Sequence, residues 1–305
     1  MPPLNILPSK TSNLRAYLLL VLTMACWGMN AVLGRVAVGE VSPMTLVFLR
    51  WAVAVLILLF FTWRHLIRDW PVIRRHLLYF LIMGGLGYSA FNLLFYVAAH
   101  STSAINIGII QGGIPVFVLI GAFVMFRTRV TPLQMVGVVI TIIGVAIVAG
   151  GGSFERLASL EINKGDALLL LAAAFYAGYT VGLRFRPELS PITFFMVVSI
   201  AAMLTSAPFA LLEIAMGDFL APTLTGWTVI LLAALLASIL SQITYIIGVS
   251  IIGPGRAGVF VNLVPIFAAI FAVTYLGEPF EMFHAIALVC VLTGIWISER
   301  GKPPA

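Results

Sequence analysis

The feature that most constrains this chain is a succession of apolar segments, each about as long as a helix must be to cross a bilayer, with little sequence between them. Read between charged or Pro/Gly-rich breaks, they predict helices near 16–38, 44–63, 77–98, 104–126, 132–150, 165–183, 192–212, 227–249, 256–276 and 282–298. A hydrocarbon core about 30 Å thick takes about 20 mostly apolar residues to span, so such a series consumes roughly two-thirds of the sequence. Little is left for a separate soluble domain. Composition agrees: of 305 residues, 62% are of hydrophobic types and 9% are charged, where a soluble domain carries roughly a quarter charged residues. The expected fold is all-α, a polytopic membrane protein of ten transmembrane helices. The first run, Ala16 to Val38, is too long for the apolar part of a secretory signal and reads as an uncleaved span.

Lys and Arg near span ends are retained in the cytoplasm, and their distribution orients the chain. With the N-terminus inside, Lys10, Arg15, Arg64, Arg68, Arg74, Arg75, Arg127, Arg129, Arg184, Arg186, Arg256, Arg300 and Lys302 fall inside, and Arg35, Arg156 and Lys164 outside. The outer side collects Glu40, Glu155, Glu161, Asp166, Glu213, Asp218, Glu278 and Glu281. The net charge of +6 is thus a topology signal and gives no reason to expect nucleic acid as a partner. The expected location is a bacterial inner membrane, with both termini cytoplasmic. Short links, such as His100 to Ser103 and the residues around Pro279, force neighbouring helices antiparallel.

The chain also repeats itself. A shift of 150 superposes Gly108 on Gly258, Pro115 on Pro265, Phe117 on Phe267 and Gly144 on Gly294. A shift of 149 places Trp27 on Tyr176, Arg35 on Arg184 and Tyr96 on Tyr245, and Ser42-Pro43 matches Ser190-Pro191 at 148. The predicted units are residues 1–152 and 153–305, each with five spans. Five is odd, so the second copy must be inverted relative to the first, the layout of many secondary transporters, whose solute site lies near the midplane between the halves.

The segment Gly248 to Ile297, with Pro265, the turn Leu276-Gly277-Glu278-Pro279 and the helix bearing Gly294, resembles the EamA family of the drug/metabolite transporter superfamily. Trp27-Gly28-Met29-Asn30, and Asn92 through Tyr96 to Ala104 leading into Pro115, resemble its first-half counterparts. Within the family the sequence is most similar to the YddG-type amino-acid exporters, which implies outward transport of amino acids, aromatic ones in particular. One departure is that Arg127-Thr128-Arg129 stands where the second half has Gly277-Glu278-Pro279, so a role for that acid cannot be shared by both halves.

Polar side chains within a bilayer are costly and usually face the bundle interior. Thr23, Trp27, Asn30 and Gly34 form one stripe on the first span. Tyr88, Asn92 and Tyr96 do so on the third, Tyr176 and Tyr179 on the sixth, and Ser238, Ser241, Gln242 and Tyr245 on the eighth. Asn106, Gln111 and Asn262 add amides beside Pro115 and Pro265, which are candidate hinges because a mid-span proline removes a backbone hydrogen bond. Such a wall suits a small zwitterion with an apolar or ring-bearing side chain. Asn, Gln and Ser in membranes also simply tie helices together, at about 0.6 kcal/mol each. Trp51, Trp63, Trp70, Trp227 and Trp296 are assigned as interfacial anchors. Gly84-Gly85 with Gly87, and the spacings Gly108/Gly112 and Gly178/Gly182, permit close helix approach.

No predicted span carries Asp or Glu near its centre, which disfavours proton-coupled export of cationic drugs. Nor do buried Lys or Arg cluster for a phosphate. Arg50 alone lies within a span, about two turns from the outer face, where snorkelling, pairing with an acid such as Glu40 and meeting a substrate carboxylate are all open; structural uses are favoured. The stretch Gly253 to Gly258 fits a dinucleotide-binding pattern with Glu278 following, but no strand precedes it. His65, His76, His100 and His284 are scattered, and Cys26 and Cys290 lie in apolar segments as packing residues. Neither cofactor nor metal is expected. The expected partners are the lipid bilayer and a small-molecule substrate, with the chain a monomer or weak dimer. The expected function is amino-acid export by alternating access, by facilitated or exchange transport in preference to proton coupling. A drug or toxic-metabolite exporter is the rival within transport, and a membrane-embedded receptor or enzyme the rival outside it.

Overall fold

The computed structural model describes residues 10–127, 130–153, 155, 163–252 and 259–300. Arg129, Arg156, Glu161, Lys302, the 253–258 stretch with Arg256 and Gly258, and the side chain of Lys10 lie outside the described residues.

Among the described residues all regular structure is helical, as a lipid-solvated chain requires, because every backbone N–H and C=O must find a partner within its own segment. The first rods are α1 (Lys10–Val36), α2 (Pro43–Ile73), α3 (residues 77–98), α4 (Ala104–Phe126) and α5 (Pro132–Ala149). They are followed by α6 (Lys164–Gly182), α7 (Pro191–Ala215), α8 (Leu224–Ile252), α9 (Phe260–Leu276) and α10 (Met282–Arg300). By length and composition seven segments can cross a membrane, one of them the 56-residue Pro43–Ala98, and two shorter apolar helices follow. A 3-10 turn at Arg74–His76 divides that long segment into α2 and α3. Leu56, Phe60, Phe61, Val124 and Leu211 project outward and are largely exposed, a belt that only lipid would solvate.

Long-range contacts pair α2 with α7, α4 with α9 and α5 with α10, while α1 lies against α8 and α9 as α6 lies against α3 and α4. The α5/α10 seam is built from glycine: a Cβ on Gly294 would stand 2.4 Å from Thr141 Oγ1 and 2.6 Å from the Gly137 carbonyl, and one on Gly144 would stand 2.8 Å from the Ala287 carbonyl. Gly108 likewise meets Ala268 of α9. Gly178, by contrast, has nothing within 4 Å and faces outward, so of the Gly178/Gly182 pair only Gly182, where a Cβ would stand 2.8 Å from Met83 Sδ of α3, meets another helix.

Helix ends are tied across the chain. Glu213 near the end of α7 accepts from the Met44 and Thr45 amides at the start of α2 (3.1 and 2.9 Å) and from Thr45 Oγ1 (2.8 Å). Glu278 accepts from the Ala104 and Ile105 amides at the start of α4 (2.9 and 3.1 Å) and lies 4.0 Å from Arg35. Both carboxylates satisfy orphan N–H groups at positive helix ends. These acids, expected only as outer-side charges, are therefore structural caps.

The prolines differ from expectation. Pro115 and Pro265 each stand in the first turn of a new helical segment, Ile114–Phe126 and Val264–Phe271, after breaks at Gly113 and at the 3-10 turn Val259–Leu263. In a first turn a missing N–H costs little, so they start segments instead of bending continuous helices.

Candidate functional site

Among the described residues three of the rods widen into π-helical turns, Gly85–Ala90 in α3, Ala233–Leu240 in α8 and Ala272–Leu276 at the end of α9, and the first two occupy equivalent places under the 149-residue shift. A π-turn takes an extra residue into the helix and frees a carbonyl from the regular ladder, and such turns are frequent at functional sites. In α3 the widened turn carries Tyr88. In α8 it carries Ala237 and Ser238.

Between these turns lies Arg50 of α2, 4% exposed. Its Nε donates to Ser238 Oγ (2.9 Å), Nη1 to Asn92 Oδ1 and Tyr96 Oη (both 2.8 Å) and more distantly to Asn30 Oδ1 (3.4 Å), and Nη2 to the Ala237 carbonyl (3.3 Å). Tyr96 Oη donates in turn to Asn30 Oδ1 (3.0 Å), and Asn92 Nδ2 donates to the Tyr88 carbonyl (2.5 Å). Three of the side chains predicted as site residues, Asn30, Asn92 and Tyr96, are thus brought together by an arginine that sequence reasoning set aside. Its partners are all neutral, and among the described residues no carboxylate forms an ion pair with it.

Trp51 corrects the sequence reading. Expected as an interfacial anchor, it is 2% exposed and stacks on Tyr88, with ring centroids 4.8 Å apart and planes 6° off parallel. Tyr88 continues to Tyr179 (centroids 5.3 Å, hydroxyls 3.3 Å apart), and Tyr179 to Tyr176 (5.5 Å). Gly87 permits this, because a Cβ there would lie 2.3 Å from Tyr179 Cγ. On the other flank Trp27 of α1 meets Tyr245 of α8 at 5.5 Å. Trp63, Trp70, Trp227 and Trp296 are exposed at the surface.

Several predicted residues stand apart. Ser241 is fully buried and donates only to the Ser238 carbonyl of its own helix (3.4 Å), while its backbone carbonyl accepts from Thr23, so it ties α1 to α8. Gln111 donates to the Ile107 carbonyl (3.4 Å). Gln242 and Asn262 are half-buried and make no side-chain hydrogen bond to described residues. Asn106 belongs to a second polar cluster, with its Nδ2 3.4 Å from Asp166, which also accepts from Thr102 Oγ1 (2.5 Å). Asp166, expected as an outer-side charge, is buried in the first turn of α6. Among the described residues no group of three or more His, Cys, Asp and Glu could hold a metal ion. A polar groove of about 440 Å³ lined by Arg68, Asp69, Arg186 and Glu188 opens elsewhere and includes none of the predicted site residues.

The sequence matches the EamA-like transporter family twice, over residues 14–150 and 163–299. The chain belongs to this family. It is similar to the uncharacterized transporter YetK of Bacillus subtilis (strain 168), 25% identical over 95% of this chain and 89% of the relative. It is also similar to the uncharacterized transporter YyaM of the same organism, 28% identical over 93% of each. An uncharacterized transporter of Archaeoglobus fulgidus is 27% identical over 94% of this chain and 98% of its own. A solved structure described as "Crystal structure of protein" shares the fold with a TM-score of 0.63 over 94% of this chain and 96% of that one, at 16% identity. The EamA-like chain is therefore a multi-pass membrane protein of a transporter family.

Proposed function

We propose that this EamA-like protein is a secondary transporter that carries small amino acids, neutral and aromatic ones first, outward across the bacterial inner membrane by alternating access. The observation that carries the reading is the convergence of α1, α2, α3 and α8 on one buried polar cluster, flanked by aromatic pairs from both halves. Amides and hydroxyls supply hydrogen bonds for a small polar solute, and the ring pairs suit an apolar or aromatic side chain. A cationic drug fits poorly, since the only charge in the cluster is positive.

The reading includes ten membrane-crossing rods in two five-helix repeats of opposite orientation. In support, the contact pattern is the one a two-fold axis in the membrane plane would generate, in which helices at equivalent positions pair with each other and α1 to α8 and α9 mirrors α6 to α3 and α4. The double family match divides the chain at the same place as the sequence repeat. The Lys and Arg distribution supports cytoplasmic termini. Trp27, Tyr88, Asn92, Tyr96, Tyr176, Tyr179, Gln242 and Tyr245 are the residues proposed to meet solute.

The test is counterflow in liposomes holding the purified protein, with labelled Phe, Trp, Thr, Met, Lys and Glu, with and without a pH gradient. Flux of neutral and aromatic amino acids is expected, reduced at normal expression in Trp27→Ala and Asn92→Ala. Flux of a lipophilic cation without any amino acid would replace this reading by drug export.

A further inference from the structure

The Arg50 cluster has more donors than acceptors. A guanidinium carries five N–H groups, and the contacts on Nε, Nη1 and Nη2 use four of them, leaving one on Nη2 without an acceptor. Beside it the indole of Trp51 lies with its ring centre 5.2 Å from Arg50 Cζ, and its Nε1, a donor only, is buried without a hydrogen-bond partner. The acceptors nearby are already engaged: Asn92 Oδ1 and Tyr96 Oη by Arg50, and Asn30 Oδ1 by Tyr96. Two unpartnered donors on consecutive residues and an uncompensated cation in a buried setting call for one chemical species, an anion with planar acceptor geometry.

We propose that Arg50 and Trp51 form a receptor for the carboxylate of the transported solute, so that the site selects organic carboxylates with an apolar or aromatic body and reads no ammonium group. One carboxylate oxygen takes the remaining Nη2 proton and the other takes the Trp51 N–H, with the stacked Trp51, Tyr88 and Tyr179 rings as the wall for the body. An ammonium meets a fixed positive charge there, among amide and hydroxyl oxygens that already accept from Arg50 or Tyr96. The buried carboxylates that could attract it, Asp166, Glu213 and Glu278, are each bonded at helix ends. This deepens the transport reading above and rests on it.

The test compares phenylalanine, 3-phenylpropionate and phenethylamine on the full-length protein, by competition with labelled phenylalanine in counterflow and by ligand-induced shift of the melting temperature in detergent. Phenylalanine and 3-phenylpropionate are expected to compete and to stabilise, and phenethylamine to do neither. Trp51→Phe keeps the ring and removes the N–H, and is expected to weaken both carboxylates about tenfold. Arg50→Lys keeps the charge without the fork, with a similar loss, and Arg50→Gln loses at least about 100-fold. A purely structural Arg50 would lower the melting temperature in these variants without changing which ligand is preferred. Equal competition by phenethylamine, binding of phenylalanine but not of 3-phenylpropionate, or unchanged affinities in Trp51→Phe and Arg50→Lys would each overturn the receptor. If Arg50→Gln does not fold, the other two variants decide. If labelled phenylalanine is not carried at all, the amino-acid reading fails by itself; the melting shift with 3-phenylpropionate then decides the receptor, and no shift overturns it.

Discussion

On α2, Arg50 gathers Asn30, Asn92, Tyr96 and Ser238 around its guanidinium; at the matching position of α7, 148 residues later, Val198 is fully buried in apolar contact. The other members change as well. Under the 149-residue shift Asn30 corresponds to Tyr179, Asn92 to Ser241 and Tyr96 to Tyr245. Tyr179 packs at a tilt against Tyr88, Ser241 bonds within its own helix, and Tyr245 meets Trp27. The scaffold diverges less, since the π-turns of α3 and α8, the helix breaks before Pro115 and Pro265 and the glycines of the seam recur in matched places. The comparison teaches that packing was kept in both halves while the charge was kept in one. An arginine at Val198 would stand among apolar neighbours with its charge uncompensated, so the interior tolerates a positive site only where polar side chains surround it.

The strongest way to break this asymmetry is Arg50→Val, which makes the two halves alike at this point. Flux of the best substrate should fall at least about 100-fold in liposomes at matched protein content; a loss under threefold would show that the cluster only ties helices. The reciprocal change, Val198→Arg, puts an unpaired charge among apolar neighbours and should destabilise by more than about 3 kcal/mol, seen as failure to yield monodisperse protein or a large drop in melting temperature.

The shared scaffold is probed at the glycine seam. Gly294→Ala drives a methyl into Thr141 and the Gly137 carbonyl and should cost about 2 kcal/mol, whereas Gly178→Ala, in open surroundings, should be neutral or slightly stabilising. Melting temperatures of the two variants side by side check this. Next in size are the cross-chain caps. Glu213→Gln and Glu278→Gln should each lose about 1 kcal/mol, the former more because it also holds Thr45 Oγ1; equal melting temperatures for wild type and both variants would remove the capping argument. The smallest effect concerns two turns related by the repeat. Arg127 and Gly277 both end their helices in the left-handed region, at φ 49° and 64°. Arg127→Gly should therefore stabilise by up to about 1 kcal/mol, and Gly277→Ala should destabilise by a similar amount, by thermal melts.

Much of this was legible beforehand. Apolar runs located most rods to within a few residues, because lipid exposure demands continuous hydrophobicity, but α2 runs on to Ile73, ten residues past its expected end, through the polar stretch around Arg64, Arg68 and Asp69. Stripe spacing brought Asn30, Asn92 and Tyr96 onto inward faces, where they are found. The glycine match of Gly144 and Gly294 was visible as a repeat but not as the α5/α10 seam, since a repeat says that positions are equivalent and not that they touch. Trp51 was misread and Arg50 left open for a common reason: near the end of a span, a tryptophan fits an interfacial belt and an arginine fits snorkelling as well as pairing, and only the packing of α3 and α8 over that end of α2 buries them. The π-turn Ala233–Leu240 carries no residue type that marks it.

The sequence by itself determined the solvent, the helical rods and their repetition, because each follows from hydropathy and period along a line. Tertiary structure alone decided which polar groups meet. Residues 30, 50, 92, 96, 237 and 238 come together only when α1, α2, α3 and α8 are packed. Hydropathy marks each as tolerable or costly one at a time, whereas a buried charge is stabilised collectively by all the dipoles that surround it.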